Sequence, residues 1–145
     1  MTARIAGKCL CGAVTIEATP VGEHLTACHC GMCRAWAAGV FLSVHVRDVD
    51  AKGPIRTRQT SDWAERGWCD ECGSVIWYRL TGDGPYAGMY GLSAGLFPDG
   101  ANQPLGLEYY IDLKPKGWSF TGNHTRMTDA EVQAYFAAPP EGDMT

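Results

Sequence analysis

Seven cysteines in three tight groups constrain this 145-residue chain more than any other feature. They read Cys9-x-Cys11, Cys28-x-Cys30-x2-Cys33 and Cys69-x2-Cys72. An odd count cannot close into disulfides without leaving a thiol over. The opening "MTARIAGKCLCGAV" has no apolar run of signal-peptide length after Arg4. No stretch approaches the ~20 apolar residues of a membrane helix. A soluble cytoplasmic protein with reduced thiols is therefore expected, with no membrane partner. The formal net charge of -4, with acidic and basic residues dispersed, also argues against a nucleic-acid partner held on a basic surface.

Reduced cysteines at these spacings suit a soft metal ion. Zinc prefers four ligands in a tetrahedron with Zn–S near ~2.3 Å. The two flanking pairs make four, and the central group makes three. Each group adjoins a glycine, namely Gly12, Gly31 or Gly73, which allows the tight turns that bring thiolates together. The partition suggests one closed structural site of Cys9, Cys11, Cys69 and Cys72. It suggests a second site of Cys28, Cys30 and Cys33 with one position open, as catalytic zinc is built. The closed site would join the ends of a loop of roughly sixty residues. Two other arrangements fit the same residues. The flanking pairs could be a redox dithiol and an unrelated pair, or His29, His24 or another residue could close the central site. His29 lies between two candidate ligands, so its ring is expected to point away from the metal. It would then support the site by a hydrogen bond or face solvent. His45 is expected to be structural, and His124, in a polar turn, has no assigned chemistry.

Length allows one domain, taken as residues 1–145. Eighteen glycines and eight prolines cut the chain into short segments. Alternation places Val14, Ile16 and Ala18 on one face, and Val40, Leu42, Val44 and Val46 on another. "SVIWYRL" has strand composition, and "LEYYIDL" puts Leu107, Tyr109, Ile111 and Leu113 on one face. "GMCRAWAAG" can make one or two helical turns. "MTDAEVQAYFAAPP" is a short C-terminal helix: Thr128 and Glu131 form a capping box, and Met127 and Val132 a hydrophobic staple. Pro139 and Pro140 end it. The class is mainly β with one short C-terminal helix. Trp36, Trp63, Trp68, Trp77 and Trp118 are expected in the core.

"GKCLCGAV", "ACHCGMCRAW" and "GWCDECGSVIW", in this order, resemble the glutathione-dependent formaldehyde-activating enzyme family, which includes the centromere protein V type. The resemblance runs over roughly residues 5 to 120 and takes in all seven cysteines. It implies a zinc-bound β-tent of short antiparallel sheets. It implies structural zinc at Cys9, Cys11, Cys69 and Cys72, and a second, catalytic zinc at Cys28, Cys30 and Cys33, which an open three-ligand site would release more readily than a closed one. Trp68 stands where the family often has Phe, and "AWAAGVF" replaces a small or polar stretch.

The implied activity is that of a carbon–sulfur lyase, the addition of a thiol to a small aldehyde or its reversal. The family's named reaction joins glutathione and formaldehyde as S-hydroxymethylglutathione. Glutathione's carboxylates call for a cation at the open site. Arg34, next to Cys33, is the first candidate, and Arg79, Lys114 and Lys116 follow. The reading from another class is a non-catalytic zinc module that binds a small thiol or a protein. A fourth protein ligand on the Cys28 site would favour it.

Overall fold

Val14, Ile16 and Ala18 are sealed from water while Thr15 and Glu17 face it, as strict alternation requires of a half-buried strand. In the computed structural model, which describes residues 3–137, Ile16 and Ala18 lie on the second of ten strands and Val14 just precedes it. In chain order the elements are β1 (Ile5–Lys8), β2 (Thr15–Pro20), β3 (Leu25–Cys28), α1 (Gly31–Ala37) and β4 (Phe41–Lys52). They continue as β5 (Ile55–Gln59), β6 (Ala64–Cys69), β7 (Val75–Leu80), β8 (Tyr90–Ser93), β9 (Leu105–Tyr109), β10 (Thr125–Met127) and α2 (Asp129–Ala137).

The strands form one branched sheet in the order β10-β9-β3-β4-β8-β7-β6-β5, with β2 joining both β1 and β4. The long β4 makes the branch possible. Its first half pairs with β3 and β8, and its second half pairs with β2. On one edge β3 gives way to β2 between Ser43 and Val46, and the β2–β4 pairing has a register shift between Glu17 and Thr19, where Asp48 takes a left-handed φ of 53°. The expected short antiparallel sheets are thus fused into one, and β9 runs parallel to both of its neighbours, β3 and β10. Val44 and Val46 are buried as the alternation predicts, but so are Phe41 and Ser43 on the opposite face, because β4 is covered on both sides.

Two apolar cores result. One gathers Val14, Ile16, Val44, Val46, Ile76, Trp77, Leu92 and Phe97 around Cys9 and Cys69. The other packs Leu107, Tyr109 and Val132 against Cys28, Tyr110, Met127 and Phe136. Each core therefore abuts one cysteine group. The core expectation for tryptophan holds for Trp77, which is 9% exposed, but Trp63 is 48% exposed.

The "LEYYIDL" segment departs from its pattern. Leu107 and Tyr109 share the buried face, but Tyr110 adopts a left-handed backbone (φ 61°, ψ 48°) and Ile111–Leu113 form a 3-10 turn. Leu113 is 44% exposed. The turn brings the Asp112 carboxylate to accept from the Asp129 backbone N–H at 2.9 Å, satisfying a free donor at the start of α2. The same helix carries its capping box. The Thr128 N–H donates to Glu131 Oε1 at 2.9 Å, and the Glu131 N–H donates to Thr128 Oγ1 at 3.3 Å. Pro139 and Pro140 lie outside the described residues. Among the described residues no helix is long and apolar enough to cross a membrane.

Candidate metal centres

The two outer cysteine pairs sit on turns, one between β1 and β2 and the other between β6 and β7. Gly12 (φ 81°) and Gly73 (φ 78°) supply the left-handed residue of each turn, and their N–H groups donate to the Cys9 and Cys69 carbonyls. The same turns aim N–H groups at sulfur. Val14 donates to Cys9 Sγ at 3.3 Å and Cys72 to Cys69 Sγ at 3.5 Å. The Ser74 hydroxyl joins the turns, accepting from the Leu10 N–H and lying 3.2 Å from Cys72 Sγ. That contact is the main cause that holds the Cys72 thiol down at about 5.

The four sulfurs of Cys9, Cys11, Cys69 and Cys72 all lie within 4.8 Å of one another. A tetrahedron with arms of ~2.3 Å has edges of about 3.8 Å, and the Cys9–Cys11 and Cys11–Cys69 sulfurs are 3.7 and 3.9 Å apart. The dimensions and the soft donor set fit a tetrahedral thiophilic ion. All seven cysteines are free of disulfides.

Cys28, Cys30 and Cys33 form the second cluster, again with sulfurs within 4.8 Å of one another. Among the described residues no further Cys, His, Asp or Glu ligand atom joins it. Cys28 ends β3, Cys30 is the N-cap of α1, and Cys33 lies in its first turn, so a strand end and a helix start set the geometry. The Cys33 N–H donates to Cys30 Sγ at 3.4 Å. Gly31, unlike Gly12 and Gly73, is not left-handed; it opens the helix. Three thiols this close cannot all ionise on their own. Hydrogen bonds with Cys28 and Cys33 bring Cys30 down to about 2, while the bonds with Cys30 and Cys33 push Cys28 well above the ordinary thiol range. A divalent cation removes that conflict, since it binds all three as thiolates.

The surroundings of this cluster were hidden from sequence reading. His29 is fully buried, with Nε2 2.7 Å from Glu108 Oε1 and Nδ1 accepting from Trp118 Nε1 at 3.2 Å. The donor at Nδ1 places the ring proton on Nε2, so the ring turns away from the cluster and supports the turn by hydrogen bonds rather than facing solvent. Glu108 Oε2 is also held by His124 Nε2 and, at 3.1 Å, by Arg126 Nε. Burial raises the Glu108 carboxyl, but the bonds to His124 and His29 outweigh it and hold it below its usual value. The His124 side chain is only 4% exposed. It belongs to this buried network, a correction to its reading as an unremarkable turn residue.

Arg66 of β6 was also missed. It is 3% exposed, and both Nη1 and Nη2 lie 3.7 Å from Cys33 Sγ. Its guanidinium lies over the rings of Trp36 and Tyr78, 4.7 and 4.9 Å from their centroids. Arg66 shares a strand face with the buried Ala64, but "AERGWC" carries no alternation that would have marked that face in the sequence. Trp36 and Trp118 thus attend the second cluster rather than the core.

The candidate cations are placed as follows. Arg34 donates from Nε to the His29 carbonyl at 2.9 Å, which puts it on the cluster's own turn. The Lys114 ammonium is bound to the Pro115 and Trp118 carbonyls. Arg79 pairs with Glu65 at 3.8 Å and lies over the Tyr90 ring. Lys116 is exposed on the loop before Trp118. Tyr110 packs against the same small core as Cys28, and burial, then the charges of Cys28 and Cys30, push its hydroxyl up to about 12.

Comparison with known proteins agrees with this arrangement. The chain is 29% identical over 130 residues to an uncharacterized lyase of Schizosaccharomyces pombe, covering 87% of this chain and 92% of the relative. It shares a fold with a Rhodobacter sphaeroides protein of known crystal structure, with a TM-score of 0.55 at 18% identity over 85% of this chain and all of that one. The sequence profile named glutathione-dependent formaldehyde-activating enzyme matches residues 4–112, which hold all seven cysteines and Arg66. On that match the chain belongs to the glutathione-dependent formaldehyde-activating enzyme family.

Proposed function

We propose that this chain is a zinc-dependent carbon–sulfur lyase of the S-(hydroxymethyl)glutathione synthase type, working as one domain in the cytoplasm. The observation that carries the reading is the contrast between a four-sulfur cluster of closed tetrahedral dimensions and a three-sulfur cluster with no fourth protein donor among the described residues. Cys9, Cys11, Cys69 and Cys72 hold the structural ion. Cys28, Cys30 and Cys33 hold the catalytic and more labile one. Zinc bound there would supply a position at which a thiol loses its proton at neutral pH.

The chain's own residues do the rest. Cys28 and Cys30 are half-buried while Cys33 is sealed, so a ligand would reach the cluster past the first two. The His29–Glu108 pair keeps the turn from shifting when a ligand arrives. Arg34 commits Nε to the His29 carbonyl and would offer its remaining nitrogens to a glutathione carboxylate. In the forward direction the thiol sulfur bonds to the aldehyde carbon, and the proton the thiol gives up ends on the aldehyde oxygen. The reverse cleaves the same carbon–sulfur bond.

Formation of the glutathione–formaldehyde adduct, followed by the loss of free thiol above the uncatalysed background, tests the reading. The excess rate should vanish in Cys30→Ala. A rate equal to background in zinc-loaded wild-type protein would leave the non-catalytic zinc module as the better description.

A further inference from the structure

We infer that Arg66 is a positioning residue that offsets the negative charge of the Cys33 sulfur and so sets the three-cysteine centre to accept an anionic fourth ligand. The inference rests on the proposed thiol-binding reading of that centre. It starts from a buried charge without a carboxylate. Arginine keeps its proton inside proteins, and removing a guanidinium from water is costly unless an anion meets it. Arg66 is 3% exposed, and among the described residues no Asp or Glu pairs with it. The anion it meets is sulfur: both terminal nitrogens face Cys33 Sγ at 3.7 Å.

Three elements hold the guanidinium there. It stands on β6, opposite Tyr78 of β7 in the sheet register, and it lies over the rings of both Tyr78 and Trp36 of α1. The planar group is therefore fixed in direction rather than free to swing to solvent. The four-cysteine cluster has no counterpart, since among the described residues no arginine or lysine donates a hydrogen bond to its sulfurs.

The charge balance gives this difference a purpose. Three thiolates on a divalent ion leave a net negative charge, which repels an incoming thiolate. The Arg66 charge, set against one of the three sulfurs, cancels that excess in a site where solvent screens little. A closed structural site takes no further ligand and needs no such cation.

The test loads cobalt(II) into full-length wild-type, Arg66→Gln and Arg66→Lys protein and follows its visible bands. Azide serves as an anionic fourth ligand, imidazole as a neutral one, and glutathione as the thiol. Arg66→Gln should lower the preference for azide over imidazole by roughly tenfold or more. Arg66→Lys, which keeps the charge, should hold that preference within about threefold of wild type. An unchanged preference in Arg66→Gln, or parallel loss of both ligands, would overturn the inference. If Arg66→Gln fails to hold cobalt at the second centre, Arg66→Lys decides. A Lys variant that loads and keeps the preference supports a charge role, and one that also fails overturns it in favour of shape. A wild-type centre that takes neither azide nor imidazole has no position to tune and likewise overturns it. Glutathione judges the thiol reading separately: bands that ignore it while azide binds would remove the proposed substrate and leave the Arg66 comparison standing.

Discussion

His29 Nε2 and Glu108 Oε1 are 2.7 Å apart, and neither side chain reaches water. His29 belongs to the turn between two cysteines of the second centre, and Glu108 belongs to β9, so the pair fastens that turn to the sheet. Breaking a buried pair strands the remaining charge or dipole. Glu108→Ala leaves the His29 ring N–H without an acceptor and should cost about 1–3 kcal/mol for that donor alone, measured by thermal or denaturant unfolding. Glu108→Gln, which keeps an acceptor, should cost less. In either variant that folds, metal at the second centre should weaken by about 10–100-fold while the first keeps its ion, as read by competition with a chromophoric chelator. Equal weakening of both centres would show a general loss of structure instead.

The cysteines should divide by consequence. Cys69→Ala or Cys72→Ala opens the closed tetrahedron, whose metal is tied to folding by an apparent binding energy on the order of 10 kcal/mol in small zinc domains. A large fall in Tm is expected. Cys30→Ala should lower Tm far less while abolishing turnover. Metal analysis should find about two zinc ions per chain, and graded chelation should remove the one at the second centre first. Matching Tm losses for Cys72→Ala and Cys30→Ala would count against a structural and a catalytic role.

His45 should make the fold acid-sensitive. Burial, with help from nearby His24, lowers its folded value from 6.5 to about 4. Its neutral ring packs on Tyr109, with Nε2 3.4 Å from the Thr26 hydroxyl. Because the folded value is depressed, the unfolded chain takes up the proton first as pH falls. Stability is full above about 6.5 and is lost progressively down to about 4, by about 3 kcal/mol in total. Acid release of metal adds to the decline in any variant. The expected observation is therefore the difference: His45→Gln should show a shallower loss than wild type over that window. Identical slopes would assign the whole decline to metal.

Gly67 is a steric necessity between Arg66 and Trp68. A Cβ there would come within 2.8 Å of Trp77 Nε1 and 3.0 Å of Cε2, so the buried indole must move. Gly67→Ala should cost about 1–3 kcal/mol by overpacking. Gly117, where a Cβ would meet nothing within 4 Å and the backbone is not left-handed, is the control. Gly117→Ala should stay within about 0.5 kcal/mol of wild type in the same melts.

The sequence by itself determined what is local or countable. Two pairs of cysteines beside Gly12 and Gly73 predict tight turns that bring thiolates together, because such turns span few residues. Alternation through Val14, Ile16 and Ala18 fixed a buried face, and Thr128 with Glu131 fixed a helix start. The separation into four cysteines and three followed from number and spacing, and the folded chain brings together those same two sets. The tertiary structure alone decided what stands behind the second centre. Arg66 reaches Cys33 across 33 positions, Glu108 reaches His29 across 79, and Trp118 reaches it across 89. Nothing in the local pattern around Arg66 states which strand or helix it meets. The physical reason is that side-chain period is a property of one strand, whereas neighbours are set by pairing. Here the parallel insertion of β9 between β3 and β10 carries Glu108 to His29, and β10's approach brings His124 and Arg126 with it. The break at Tyr110 was hidden for the same reason, since the turn that ends β9 is fixed by the start of α2 rather than by the apolar pattern of "LEYYIDL".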